Sequence, residues 1–375
     1  MSDNKKTPQA LEGKRPKALG SKKPQALEKA VAFLKNYDGP DVRIMEVCGT
    51  HTHEIFRQGV RNMLSPRIHM ISGPGCPVCV TDVGFIDEAV WLAQEKGCTI
   101  LTFGDLVRVP GTSMSLQLAR AKGARVKTVY SPQDAEDYAR EHQDEECVFL
   151  SVGFETTTPG SCIALRKARE DGITNFSLLT ANKTMPAAYM AMKDSTDLFL
   201  YPGHVHAITG LSVPEQLAKD GLVSGVCAGF TARELVTAIA VGVKKFNEGK
   251  PFFVNAYPRV VKEEGQPAAR ELVNSVMEPC DAVWRGIGMI ENSGMRLRAE
   301  YRDMDARYKY QIPKMEGRAN PACQCGRVLT GAITPRECPL FGKVCTPEHP
   351  VGACMVSSEG ACSAFYLYGT ETPEE

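Results

Sequence analysis

Apolar residues follow two alternating rhythms along most of the chain, short continuous runs and stretches with helical spacing. ALEKAVAFLKNY predicts a helix ending near Tyr37. VRIMEV (42–47) then predicts a strand, HEIFRQGVRNML (53–64) a helix and IHMIS (68–72) a strand. DEAVWLAQEKG (87–97) predicts a helix with a glycine stop, followed by a strand in TILTF (99–103). SLQLARAKGA (115–124) precedes VKTVY (126–130), and PQDAEDYAREH (132–142) precedes CVFLSVGF (147–154). Such alternation over more than 100 residues implies a parallel sheet with helices on both faces.

The pattern resumes with FSLLTA (176–181), a region around HVHAITG (204–210), LVSGVCAGF (222–230) and a helix in ARELVTAIAVGVKKFNEG (232–249). After Trp284 it fades, and residues 300–375 are rich in loops and cysteines, the profile of a small domain held by a metal centre. The expected fold is α/β: two Rossmann-like parallel-sheet lobes plus a small C-terminal domain. The expected divisions are a tail at 1–24, lobes at 25–150 and 151–298, and a cysteine-rich domain at 299–375.

Charge narrows the function classes. Lys+Arg and Asp+Glu are both 44, a balance unlike that of a general nucleic-acid binder. No apolar run approaches the ~20 residues of a membrane span. The N-terminus has no apolar leader, so a cytoplasmic protein is expected. The first thirty residues repeat PQALE, PKALG and PQALE with a period of eight and carry eight Lys/Arg against three Asp/Glu. Prolines at that period exclude a continuous helix, and residues 1–24 read as a disordered basic tail.

Cysteine is the outlier, at 14 of 375 residues, and without an export signal it points to metal or redox chemistry. Cys98, Cys147, Cys162, Cys227 and Cys280 are scattered and read as small buried apolar residues. EVCGTHTHE, from Glu46 to Glu54, follows a predicted strand, where open α/β sheets place their sites. Cys48 there is a candidate soft metal ligand or nucleophile, with His51 and His53 beside it and a helix N-terminus favouring thiolate. GPGCPVCVT carries Cys76 and Cys79 as C-x-x-C, a spacing that either cycles as a disulfide or binds a metal. Loops of successive βα units are neighbours, so Cys48, Cys76 and Cys79 could form one three-thiol site.

SVGFETTTPG offers Glu155 and Thr156 at a third strand end, suited to orienting a polar substrate or moving protons. His204, Trp284 and Arg285 fit a cleft wall. Near the C-terminus stand Cys323, Cys325, Cys338, Cys345, Cys354 and Cys362. An iron–sulfur cluster takes four thiolates and leaves two over, which could form an adjacent disulfide. Zinc is the competing metal, but none of the spacings is the usual C-x2–4-C clip.

EVCGTHTHE, GPGCPVCVT, FGDLVRVPG, VGFETTTP, PGHVHAITG, WRGIG and the terminal C-x-C…GACMVSSEGAC together resemble the HypD family of hydrogenase formation proteins, from about residue 27 to residue 368. The resemblance implies two α/β lobes around a cleft plus a [4Fe–4S] domain. It implies a scaffold, formed with a HypC-type chaperone, on which iron receives its Fe(CN)2(CO) ligands for [NiFe] hydrogenases, cyanide coming from a HypE-type donor. It makes Cys48, Cys76 and Cys79 the essential thiols for iron, with Glu155 and Thr156 in the GFETT motif. It places the cluster in Cys323–Cys362, in surroundings similar to ferredoxin–thioredoxin reductase. The expected cluster ligands are Cys323, Cys338, Cys345 and Cys362, with Cys325 and Cys354 as an adjacent redox pair; Cys323 and Cys325 are nearly interchangeable at this level. The expected activity is a maturation scaffold with redox function; the alternative is a free-standing thiol–disulfide oxidoreductase using Cys76 and Cys79.

Overall fold

The computed structural model describes residues 23–369. The tail expected over 1–24 lies outside them, apart from the two residues that open the helix Lys23–Lys35. The strands are β1 (Val42–Glu46), β2 (Ile68–Ser72), β3 (Thr99–Thr102), β4 (Val126–Thr128), β5 (Cys147–Ser151), β6 (Phe176–Thr180), β7 (Leu198–Pro202), β8 (Ser224–Ala228), β9 (Phe253–Asn255), β10 (Met277–Trp284) and β11 (Gly288–Leu297). One sheet has the order β2-β1-β7-β8-β9 and another β4-β3-β5-β6, every pair parallel. β10 and β11 form a separate antiparallel hairpin. No helix among the described residues is long and apolar enough to cross a membrane.

The sheets divide the chain differently from the expected lobes. The chain leaves the first sheet after β2, builds the whole second sheet, then returns to the first at β7. The expected boundary at residue 150 falls inside β5. Each strand and its following helix look alike in either sheet, so a linear reading cannot see which sheet a strand joins. In the first sheet the order reverses between β1 and β7, and in the second between β3 and β5. Such reversals open a crevice at the carboxyl ends of the strands.

Alternation along the strands accounts for two covered faces. Ile44, Leu198, Leu200 and Val226 pack with Leu34 and Ile239 on one face of the first sheet. Met45, Phe199, Tyr201 and Cys227 face the other way, into a core shared with Trp284, Cys76 and Cys79. The second sheet divides likewise, with Ile100, Val148 and Leu150 on one face and Leu101, Cys147 and Phe149 on the other.

The expected separate domain at 299–375 has no core of its own. Cys325, Cys345, Cys354 and Cys362 join the core of the first sheet, while Ala306, Tyr310 and Ile312 join that of the second. A segment so poor in regular apolar runs is covered only by packing on both sheets. Several elements escaped the sequence pattern, β7 and β9 among them. HVHAITG lies in a short helix, Gly203–Thr209, directly after β7. The β10–β11 hairpin occupies the region where alternation fades.

The loops after β1 and β2 touch. β1 and β2 pair in parallel with Glu46 opposite Ser72, which brings their following loops side by side. The Gly49 N–H donates to the Gly75 carbonyl at 2.9 Å. A Cβ on Gly75 would lie 2.1 Å from the Cys48 backbone nitrogen and 2.5 Å from the Val47 carbonyl carbon. Only glycine allows this approach. Gly75→Ala is expected to cost about 1–3 kcal/mol of stability. Gly104→Ala, whose Cβ would meet the nearest atom at an ordinary 3.6 Å, is expected to be nearly neutral. Urea unfolding followed by circular dichroism checks this pair; equal midpoints for both variants would contradict it.

Candidate functional site

The carboxyl rim of the first sheet carries four loops. Cys48 caps the N-terminus of the helix Gly49–Arg57 after β1. Cys76 caps the helix Pro77–Val80 after β2, its sulfur accepting from the Cys79 N–H at 3.3 Å. His204 and His206 follow β7, and Gly229 and Phe230 follow β8. Cys48 and His204 therefore flank the strand-order reversal.

At Cys48 burial outweighs the helix N-terminus. It pushes the thiol up to about 12, although the His51 and Thr50 backbone N–H groups act to lower it. The thiolate expected from sequence is thus held as a thiol until something replaces the lost water. His51 is buried; its Nε2 bonds to the Gly229 carbonyl at 3.1 Å, and its ring lies 4.7 Å from that of Phe230. His204 stacks on the same phenylalanine at 3.7 Å. Burial lowers the His51 pKa to about 4, so the ring is neutral at physiological pH. Because Nε2 must donate to a carbonyl, Nδ1 carries a lone pair, and it has no partner among the described residues. His206 is held by Gly210 and Tyr189 and supports the fold.

The C-terminal segment covers this rim. Glu359 accepts from the Thr50 hydroxyl at 2.6 Å, and the Ser358 carbonyl is 3.1 Å from His53 Nδ1. Phe365, in the helix Ala361–Tyr368, packs edge-on to Phe56 at 5.5 Å. The Cys79 thiol points to the Ala353 carbonyl at 3.9 Å.

Sulfur atoms continue from there. Cys79 contacts both Cys76 and Cys354, and Cys354 contacts Cys325 and Cys362. Hydrogen bonds from Cys325, Cys362 and Cys79 hold the Cys354 thiol well below its ordinary value, while burial raises Cys79. Cys323 and Cys325 sulfurs lie 3.1 Å apart. Cys323, Cys325, Cys338, Cys345 and Cys362 line one small cavity, closed on one side by Gly352. A Cβ on Gly352 would stand 2.5 Å from the Cys325 sulfur and 2.6 Å from that of Cys323.

Five converging thiols beside a glycine cradle suit a four-thiolate group. The four expected ligands are all present in this cavity; Cys325 joins them, and Cys354 lies on the side facing Cys79. No group of three or more His, Cys, Asp or Glu side chains among the described residues stands in an arrangement that could hold a metal ion. That includes Cys48, Cys76 and Cys79, expected as one site: the first two stand on touching loops, while Cys79 is engaged by Cys354.

Glu155 lies in the loop after β5. One carboxylate oxygen accepts from the Met185 N–H at 2.8 Å, and the other is buried without a partner among the described residues. Burial pushes its pKa up to about 7. Thr156 is exposed. Phe154 stacks on Trp284 at 5.8 Å, tying this loop to the β10–β11 hairpin.

Two residues gained no role from sequence. Glu359 lies within GACMVSSEGAC, where the cysteines alone drew attention. Arg285, noted only as part of a cleft wall, is a buried cation. Its backbone N–H and Nε donate to the Val80 and Thr81 carbonyls at 2.9 and 2.8 Å, and Nη2 donates to that of Pro110 at 2.9 Å. No carboxylate neutralises it by direct contact among the described residues, and the thiols of Cys325, Cys323 and Cys354 are among the charges it feels. The four scattered cysteines Cys98, Cys147, Cys162 and Cys227 are buried as expected, and Cys280 is half-buried.

Comparison with known proteins identifies the assembly. The HypD family model, described as the hydrogenase formation hypA family, matches residues 24–369. The hydrogenase maturation factor HypD of Rhodobacter capsulatus is 41% identical over 337 residues, covering 88% of this chain and 89% of that protein. The HypD of Azotobacter vinelandii is 38% identical over 340 residues, covering 88% and 90%. That of Cupriavidus necator is 39% identical over 343 residues, covering 88% and 90%. The chain belongs to the HypD family of hydrogenase maturation factors.

The Glu155 environment has a measurable consequence. A carboxyl whose pKa rises to about 7 on folding binds its proton more tightly in the folded state. Its contribution to stability is present below the unfolded pKa and is lost as pH rises through about 7. The buried histidines, lowered to about 4, change stability below about pH 6.5, and Lys183, lowered to about 8, acts above the window and equally in both proteins compared. Between about pH 6.5 and about pH 8, wild type is expected to lose thermal stability relative to Glu155→Gln. Thermal melts of both proteins across that window test this; a constant difference between them would contradict it.

Proposed function

We propose that this HypD-family protein is a cytoplasmic scaffold that, with a HypC-type chaperone, carries the iron on which the Fe(CN)2(CO) group of [NiFe] hydrogenases is assembled. Cys48 holds the iron as cargo, the chaperone supplies a second thiolate, and a HypE-type protein donates cyanide. Low-spin iron with cyanide and carbon monoxide suits soft sulfur ligands. Replacing the Cys48 proton by iron relieves the cost of a charged sulfur in a buried position, which makes this thiol a selective metal acceptor. The neutral His51 provides a buried acceptor at this rim, and Glu155, after β5 of the second sheet, provides a carboxyl that titrates at about 7.

The observation that carries the reading is the succession of interacting thiols from Cys76 and Cys79 through Cys354 to Cys325 and Cys362 of the five-cysteine cavity. In that cavity Cys323, Cys338, Cys345 and Cys362 would hold a [4Fe–4S] cluster, which supplies single electrons when bound. The protein's own thiols account for the rest. The Cys354 thiolate attacks Cys79 in a Cys76–Cys79 disulfide, forming a Cys79–Cys354 bond and freeing Cys76, which takes up a proton. Cys325 then gives up its proton and attacks Cys354, freeing Cys79. The disulfide has moved to Cys325–Cys354, and both cleft thiols are reduced with no net change in electron count. Such exchange favours a thiolate attacker with short sulfur contacts.

The free-standing oxidoreductase reading fits less well. Cys76 and Cys79 are only 4% and 1% exposed, too enclosed for the sulfur of a folded protein substrate. A maturation scaffold with internal redox chemistry requires no such access.

The test is anaerobic co-purification with the chaperone, followed by iron analysis and infrared spectroscopy. Wild type is expected to show cyanide stretches. Cys48→Ser is expected to lose them with the cargo iron while keeping iron–sulfur absorbance. Cys76→Ser and Cys79→Ser are expected to fold and keep that absorbance but to abolish hydrogenase maturation. Cyanide stretches in a Cys48→Ser complex would overturn the assignment.

A further inference from the structure

A cavity of about 730 Å³, within the range of small-molecule sites, borders Cys323 and Cys325 and shares no lining residue with the Cys48 rim. Its walls come from the loop Pro110–Leu118, the segment Arg318–Pro321 and the turn Glu348–Gly352. Cys323 and Cys325 both line it. Cys325 therefore has two settings, one in this cavity and one in contact with Cys354.

The cavity is positively charged. Arg108, Arg285 and Arg318 line it against one carboxylate, Glu348. Arg285 is 8% exposed and held in place by backbone carbonyls. Arg108 donates to the Pro347 and Val356 carbonyls at 2.8 and 3.1 Å. Arg318 is exposed, anchored through its backbone N–H to the Thr112 hydroxyl at 2.8 Å. Carbonyls orient the two inner guanidinium groups without cancelling their charge. Fixed cations in a concave site raise the local concentration of anions.

We infer that this cavity admits a small thiol bearing carboxylates, which reduces the Cys325–Cys354 disulfide. The inference rests on the proposed thiol relay and gives it a two-electron reductant beside the single electrons of the cluster. One ligand thiolate attacks Cys325, forming a mixed disulfide and releasing Cys354 as a thiolate. A second ligand thiolate attacks the mixed disulfide at the ligand sulfur, releasing Cys325. Two ligand thiols become one ligand disulfide, and their two protons end on Cys325 and Cys354. A small ligand is favoured because the sulfur lies inside a concave site. A thiol is favoured over other anions because two protein sulfurs form part of the wall.

The reverse half-reaction gives a direct test. Reduced, cluster-loaded full-length protein is treated anaerobically with glutathione disulfide and, separately, with the neutral 2-hydroxyethyl disulfide. Adduct formation is followed by peptide mass spectrometry. Glutathione disulfide is expected to modify Cys325 and, once Cys354 displaces the glutathione, to leave a Cys325–Cys354 disulfide. Arg318→Glu and Gln117→Glu, both at exposed positions, are expected to slow that reaction by roughly tenfold while leaving the neutral reagent unaffected. Neither an adduct at Cys325 nor a Cys325–Cys354 disulfide, an adduct at Cys323 instead, or equal slowing with both reagents would overturn the inference. Iron–sulfur absorbance and maturation activity, recorded on the same samples, report separately on the scaffold function: their loss in wild type would refute that function, whereas a charge-independent rate with both intact would refute the cavity alone.

Discussion

Burial of sulfur between the carboxyl rim of a parallel sheet and the C-terminal segment is the constraint on which the rest of the structure depends. The segment has few apolar runs and cannot form a core alone, so it packs its cysteines into the core beneath β1 and β7. Glu359 and Phe365 fasten it to the helix after Cys48. Cys354 is thereby set between Cys79 and Cys325, and one contact network joins residues nearly 300 positions apart in sequence. Weakening this packing would expose Cys48 and break the succession of interacting thiols together.

Burial also gives the ionisable groups different tasks. It keeps Cys48 a thiol and His51 neutral, and it raises Glu155 to the edge of the physiological range. Hydrogen bonds from three neighbouring thiols draw charge to Cys354 instead. Metal capture and disulfide exchange demand opposite properties of a thiol. The fold separates them because burial outweighs the hydrogen bonds around Cys48, whereas the neighbouring thiols outweigh burial at Cys354.

Much of this was legible in the sequence because strand-end loops announce themselves. Cys48, Cys76 and Glu155 each follow an apolar run that does become a strand. Apolar periodicity reports burial, however, and not the partner strand. That is why β1 and β2 were grouped with β3 to β5, although they pair with β7. β7 itself was missed because its run, LFLYP, ends directly in the histidine motif. Arg285 was undervalued because a buried arginine held by carbonyls has no acidic partner to signal it. The cysteine count indicated a four-thiol group with two to spare, but only the three-dimensional contacts distinguish Cys354, facing Cys79, from the thiols of the cavity.

The central claim is that cleft and C-terminal thiols form one exchanging system. Trapping its middle step tests this most directly. In full-length Cys76→Ala protein, mild oxidation under anaerobic handling leaves Cys79 no partner in its own loop. Non-reducing peptide mass spectrometry is then expected to find a Cys79–Cys354 disulfide, absent when Cys354 is also replaced by alanine. Recovery of Cys79 as a free thiol, under conditions that close Cys76–Cys79 in wild type, would contradict the account.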